Sequence, residues 1–157
     1  MRARQSYYLW PLLALAGLFV GLPSSAERVG NTIPGPVPAR IIRVVDGDTV
    51  VVRARIWLDQ EVETKVRLQG IDTPELRGKC QDESLLALAA RDFVIGLGKT
   101  VNGTTNDEVQ LFDIEYGKFA GRVVARIKSP NGVDYSHALI AAGVARSYDG
   151  GRRQPWC

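Results

Sequence analysis

The chain has 157 residues, of which 45% are hydrophobic and 24% charged, with two cysteines and a single histidine. This length fits one or at most two small domains, and the composition is that of a globular protein rather than a disordered, collagen-like or polytopic membrane chain. One histidine and two cysteines are too few for a His-rich zinc site, a four-cysteine zinc site or an all-cysteine iron–sulfur cluster. Any hydrolytic chemistry must therefore rest on carboxylates, arginines and hydroxyls, with or without a hard metal ion.

Residues 1–26 have the pattern of a secretory signal peptide. Arg2 and Arg4 form a basic start, an apolar run follows over 9–22, and Ser24-Ser25-Ala26 places small residues at a cleavage site. An uncleaved membrane anchor is the alternative, because the apolar run approaches spanning length. In either case we expect the rest of the chain to be exported, to the periplasm or outside the cell. Cleavage would remove two arginines and no acid, which lowers the net charge from +3 to +1, so the basic balance does not indicate nucleic-acid binding.

Export would place the two cysteines, Cys80 and Cys157, in an oxidising compartment. In an oxidising compartment such a pair most simply forms one disulfide, and two free thiols are the alternative. We expect a disulfide that pins the C-terminal tail, residues 147–157, which has no pattern of its own.

The region after the leader begins with a predicted linker and three predicted strands. Residues 27–39 are rich in glycine and proline without periodicity, which predicts a flexible linker before a domain at 40–146. Strands are predicted at 41–45, at 48–58 and at 62–68, where apolar and charged residues alternate with a period of two. Short turns between them indicate an antiparallel meander.

A helix of roughly 15 residues should follow the three strands. The side chains expected to face the core are Leu86, Ala89, Phe93 and Leu97. Two more strands are predicted at 109–114 and 122–128, and a short helix from Asp134 to Gly143 with Ala138, Leu139 and Ala142 inward. This order of elements is typical of a single, mainly β (α+β) domain: a five-stranded OB-fold Greek-key barrel with a helix after strand three and a second short helix.

Three short segments carry groups suited to chemistry, although each has a simpler explanation on its own. The segment 44–50 reads VVDGDTV and is also a common β-turn pattern. The segment 67–75 reads RLQGIDTPE and could be a loop with solvated charges. The segment 119–127 reads FAGRVVARI, in which Arg122 could be an exposed edge residue.

Taken together, the three segments indicate a phosphodiester-cleaving site. Asp48 and Asp72 lie where strands meet turns, so in a small barrel they can converge on one hard cation such as Ca²⁺ or Mg²⁺. Glu75, just beyond, can hold a water next to that ion. Arg67 and Arg122 can each present a planar fork of donors to a phosphate. A metal, a carboxylate base and two arginines are suited to in-line attack on a phosphodiester.

The same segments resemble the staphylococcal-nuclease-like (thermonuclease) family. The resemblance is carried by DGDTV at 46–50, by Arg67 with DTPE at 72–75, and by Gly121-Arg122, and it covers about 40–146. It implies an OB-fold that binds Ca²⁺ and cleaves the phosphodiesters of DNA and RNA, leaving 3′-phosphates.

The resemblance also implies a role for each of six residues. The implied calcium ligands are the carboxylates of Asp48 and Asp72 and the backbone carbonyl of Thr73. Glu75 is similar to the family's general base or water-positioning group. Arg67 and Arg122 are similar to the arginines that stabilise the transition state.

The chain departs from the family around the substrate. A Lys-Tyr pair precedes the Gly-Arg in the best-studied members, whereas Phe119-Ala120 stands here with Lys118 one step earlier. Tyr148 is near the position of a base-stacking tyrosine. In the tail, Arg152 and Arg153 are candidates for phosphate contacts, and a solvated basic tail is the alternative. The disulfide would take the place of the family's third helix as a clasp.

Two hypotheses of different classes follow. The first is an exported Ca²⁺-dependent endonuclease that acts on single-stranded DNA or RNA as a monomer, with no protein partner implied. The alternative is a non-catalytic OB-fold module that binds nucleic acid or another anionic partner. The presence of Glu75 and both arginines favours the enzyme, because a binding module need not keep them.

Overall fold

The computed structural model describes residues 31–98 and 107–157. The strands are β1 (Thr32–Ile33), β2 (Val37–Val44), β3 (Thr49–Trp57), β4 (Gln60–Leu68), β5 (Ile71–Asp72), β6 (Glu108–Tyr116), β7 (Arg122–Lys128) and β8 (Arg146–Ser147). The helices are α1 (Gln81–Leu97), between β5 and β6, and α2 (Tyr135–Ala141), between β7 and β8. The leader predicted at 1–26 lies outside the described residues. Of the described helices, neither is long and apolar enough to cross a membrane.

Five strands close into a barrel, as the order of elements predicts. Along the sheet the neighbours are β6, β2, β3, β4 and β7, and pairing of β6 with β7 closes it. The pair β4–β7 is parallel and the other barrel pairs are antiparallel. The mainly β, OB-type architecture with two helices is therefore confirmed.

The barrel interior is filled by the inward members of alternating strand residues. Val50, Val52 and Val66 are fully buried, and Ala125 and Ile127 of β7 meet them from the other side. Successive side chains of a strand point to opposite faces of the sheet. Because both neighbours of Arg67 in β4 are buried in the barrel, the side chain of Arg67 lies on the outside of the barrel.

The first helix packs on the barrel with a different face from the predicted one. Its buried residues are Glu83, Ala87, Ala90 and Val94, whereas the predicted Leu86, Phe93 and Leu97 are half-buried and Ala89 is exposed. The buried row starts with a glutamate and continues with small residues, so hydrophobic periodicity did not find it. In the second helix Leu139 is buried as expected and Ala142 is exposed.

The predicted flexible linker at 27–39 is too long. Within it, β1 pairs with the end of β6 through Thr32 and Ile33, and β2 begins at Val37 and pairs with Leu111 of β6. These contacts join segments about 70 to 80 residues apart in the chain, so a local pattern of glycine and proline does not show them. The barrel domain therefore begins before residue 40.

A two-stranded sheet brings the C-terminal tail back to the barrel. Ile71 and Asp72 of β5 pair antiparallel with Ser147 and Arg146 of β8. The predicted disulfide between Cys80 and Cys157 is present, with the two Cα atoms 6.1 Å apart. The tail is thus fixed at its start beside β5 and at its end beside the start of α1.

Candidate active site

The turn between β2 and β3 fixes the first carboxylate. Asp48 is only 4% exposed, and its Oδ1 accepts a hydrogen bond from Thr49 Oγ1 at 2.7 Å. Its backbone N–H donates to Asp46 Oδ1 at 3.0 Å. Gly47 lies under α1, where an added Cβ would be 2.7 Å from the Cβ of Ala90. The Asp-Gly-Asp sequence therefore lets the turn pack tightly while it orients Asp48.

Arg67 links this carboxylate to the second one. Its Nη1 donates to Asp48 Oδ2, and its Nη2 donates to the carbonyl of Ile71 at 3.2 Å and lies 3.9 Å from Asp72 Oδ1. The Arg67 side chain is 13% exposed and lies between the two acids. Burial raises the pKa of Asp48, the charge of Arg67 opposes that rise, and the charge of Asp46 adds to it. A further cation beside Asp48 would favour its ionised form.

Asp72 ends β5 and Thr73 follows it, and both are buried, at 4% and 3% exposure. Asp72 Oδ2 accepts a hydrogen bond from Trp156 Nε1 at 3.2 Å. The other oxygen, Oδ1, is 2.9 Å from Arg153 Nε but, among the described residues, receives no well-directed hydrogen bond. A buried carboxylate oxygen without a hydrogen-bond donor has capacity for another electrophilic partner.

Glu75 reaches the same region from the loop that follows β5. Its side chain is half exposed and Oε1 accepts a hydrogen bond from Arg153 Nη1. Partial burial works against the charged form of Arg153, but the hydrogen bond to Glu75 and the charges of Asp72 and Glu75 outweigh it and raise the pKa of Arg153. Arg153 therefore stays protonated as it bridges the two acids.

Glu83 holds the loop that carries Glu75 through hydrogen bonds. It was not predicted as a site residue from the sequence. It lies in the first turn of α1, is 7% exposed, and accepts hydrogen bonds from the backbone N–H of Lys79 at 2.8 Å and of Glu75 at 3.4 Å. An added Cβ at Gly78 would be 2.6 Å from Glu83 Cγ, so the loop wraps closely around this carboxylate. Glu83 lies three residues after Cys80, the N-cap of α1. A glutamate at this position can accept hydrogen bonds from the chain that precedes the helix, and this spacing could have indicated the role of Glu83 from the sequence.

A cleft of about 900 Å³, which we call the β4–β7 cleft, lies on the outer face of the barrel. The predicted site residues that line it are Arg67, Glu75, Lys118, Arg122, Tyr148 and Arg153. The guanidinium carbon of Arg122 lies 5.1 Å from the centroid of the Phe119 ring, and within the described part of the chain its Nε has no hydrogen-bond partner. Arg122 therefore lines the cleft, and its buried Nε is not used by another described residue.

The remaining predicted residues lie around this cleft. Asp72, Thr73 and Arg152 line an adjoining cleft of about 410 Å³. Arg122 does not line this smaller cleft. Tyr148 donates its hydroxyl to the carbonyl of Gly151 at 2.8 Å. Arg153 is paired with carboxylates, so neither a solvated tail nor a free phosphate contact describes its position.

No family model matches the chain. It is similar to proteins named "Uncharacterized endonuclease" from Escherichia coli O157:H7 and from Escherichia coli, each 29% identical over 116 residues. The aligned region covers 72% of this chain and 62% of each relative, so the chain spans less than two thirds of their length.

Proposed function

We propose that the protein is a nuclease that hydrolyses phosphodiester bonds of nucleic acid. The observation that carries the proposal is the joint position of Glu75, Arg67 and Arg122 on one cleft, beside the buried carboxylates Asp48 and Asp72. The name of the two endonuclease relatives supports the same class of reaction. The resemblance to the thermonuclease family adds the finer expectation of a 3′-phosphate product.

The donor set fits Ca²⁺, the cofactor that we propose. Asp48, Asp72 and the backbone carbonyl of Thr73 are hard oxygen donors on adjacent elements, and Asp72 Oδ1 lacks a hydrogen bond from the described residues. When bound there, the ion would polarise a phosphate oxygen and lower the pKa of a coordinated water. The second candidate cluster, Cys80, Glu83 and Cys157, does not fit a metal because its two sulfurs form the disulfide.

The residues of the chain supply the rest of the chemistry. Glu75 orients the attacking water and accepts its proton at a carboxylate oxygen. Arg67 and Arg122 donate to the phosphate oxygens on which negative charge increases as water attacks phosphorus. The bond from phosphorus to the 5′ oxygen breaks and this oxygen takes up a proton from solvent, which gives a 3′-phosphate and a 5′-hydroxyl.

The walls of the cleft suit a single strand of DNA or RNA as substrate. Phe119 is 61% exposed beside Arg122, and Tyr148 lines the same cleft, so both rings are available for bases. Lys118 adds a cation for the backbone. We further propose that the protein acts after export, because a disulfide persists in oxidising compartments. A monomer is proposed with it.

Circular single-stranded DNA provides a test of both the cut and its product. We expect the protein with Ca²⁺ to open the circles and to leave ends that a 3′-phosphatase must treat before a polymerase extends them. Circles that are retarded in a gel but stay closed with Ca²⁺, Mg²⁺ or Mn²⁺ would contradict the nuclease and support a binding module.

A further inference from the structure

Residues 152–157, which we call the C-terminal strap, are held against the site by several independent contacts. The disulfide joins Cys157 to Cys80, just before α1. The guanidinium carbon of Arg146 lies 3.7 Å from the centroid of the Trp156 ring, and Arg146 Nη1 donates to the carbonyl of Pro155 at 3.0 Å. Since Arg146 itself belongs to β8, paired with Asp72, the strap has a fixed position relative to that acid.

The strap contacts the two carboxylate oxygens of Asp72 differently. Trp156 Nε1 donates to Oδ2 at 3.2 Å, which turns Oδ1 toward Arg153 Nε at 2.9 Å. Arg153 Nη1 donates to Glu75 Oε1 at the same time. One guanidinium therefore lies between the proposed metal ligand Asp72 and the proposed base Glu75, and its Nε lies against the Asp72 oxygen that is offered to the cation.

The charges around Asp72 favour either Arg153 or a divalent cation at this position, but not both. Asp48, Asp72 and Glu75 are opposed by the guanidinium groups of Arg67 and Arg153, which leaves one net negative charge. A divalent cation added to this set would create a net positive charge beside the buried Asp48 and Asp72, whereas a cation that replaces Arg153 would leave the set neutral. Uncompensated charge is costly at a site as buried as Asp72, so the exchange is favoured over the addition.

We infer that Arg153 is a built-in competitor for the divalent cation: its guanidinium occupies the Asp72 oxygen that the cation would use, and it leaves when the cation binds. This inference rests on the cation site of the proposed function. Because the disulfide keeps the strap attached, the displaced guanidinium stays close to the site and can return when the cation is removed. The strap thus sets the cation affinity of the site.

Calorimetric titration of the full-length protein with Ca²⁺, without nucleic acid, tests the inference. In Arg153→Gln we expect the Kd for Ca²⁺ to fall about ten-fold, the order of magnitude for losing charge-assisted hydrogen bonds in a partly exposed pair. Arg153→Lys keeps the positive charge, so its Kd for Ca²⁺ should stay close to that of the wild type. Arg152→Gln removes a neighbouring charge that lines the same small cleft and is the matched control, with an expected Kd close to that of the wild type.

The outcomes separate this inference from the proposed site. A Kd in Arg153→Gln that is unchanged or higher than in the wild type overturns the competition and leaves the cation site in place. An equal gain in Arg152→Gln also overturns it, because the effect would then be one of general charge. Absence of binding in the wild type and in every variant overturns the cation site, and the competition with it. A merely structural loss would not tighten binding, so a lower Kd confined to Arg153→Gln supports the inference.

Discussion

Glu75→Gln is expected to reduce phosphodiester cleavage by about 10²–10⁴-fold while the fold is kept. Glutamine preserves the shape of the side chain but cannot accept a proton from water. The side chain is more than half exposed, so the change should cost little stability. Single-turnover cleavage of single-stranded DNA at saturating Ca²⁺ measures the effect on the chemical step, and the loss should fall on kcat rather than on KM.

Glu115→Gln is the matched control for this prediction. Glu115 is another carboxylate on the β4–β7 cleft, where its Oε1 accepts a hydrogen bond from Gln69 Nε2 at 3.3 Å. Its substitution removes the same charge from the same cleft and should change the rate only slightly. Equal losses in the two variants would show that net charge, not proton transfer at Glu75, controls the rate. A fully active Glu75→Gln would contradict the assignment of the base.

Arg122→Lys is the second substitution with a large expected effect, a loss of about 10²–10³-fold in kcat. Lysine keeps the positive charge but loses the planar fork of donors that matches two phosphate oxygens. Arg122 is more informative than Arg67, because Arg67 also holds Asp48 in place and its substitution would disturb the carboxylates. Rates measured at saturating substrate distinguish transition-state stabilisation from simple loss of binding.

Arg126→Lys is the matched control for Arg122→Lys, because Arg126 lies on the same face of β7. Arg126 is paired with Asp113 at 2.8 Å and does not line the cleft. We expect its substitution to leave kcat within a few-fold of the wild type. If both substitutions lower kcat equally, or if neither does, Arg122 has no special place in the reaction.

The strands and turns of the barrel follow from local pattern. Residues 62–68 alternate apolar and charged side chains, and β4 spans Gln60–Leu68 with Val66 and Leu68 buried and Arg67 outward. The Asp-Gly-Asp turn and the segment from Arg67 to Glu75 carry their geometry within a few residues, so their convergence could be expected from the sequence. The roles of these residues stay predictions until they are tested.

The contribution of the tail could not be read from local pattern. Arg153 meets Glu75 across 78 positions and Trp156 meets Asp72 across 84, and no periodicity links such distant residues. The cysteine pair indicated only that the tail returns to residue 80, not which side chains it delivers. The buried Glu83 was missed for a different reason, since an acid in the first turn of a helix is usually explained by the helix dipole alone.

Cleavage of single-stranded DNA by the purified protein, with Ca²⁺ and after chelation with EGTA, tests the central claim most directly. We expect cutting with Ca²⁺, its loss in EGTA, and its return when Ca²⁺ is restored, because the carboxylates at 48 and 72 need a cation to act on the phosphate. Cutting that continues undiminished in EGTA would contradict the calcium site. Absence of cutting with Ca²⁺, Mg²⁺ and Mn²⁺ by a folded protein with its disulfide intact would contradict the nuclease.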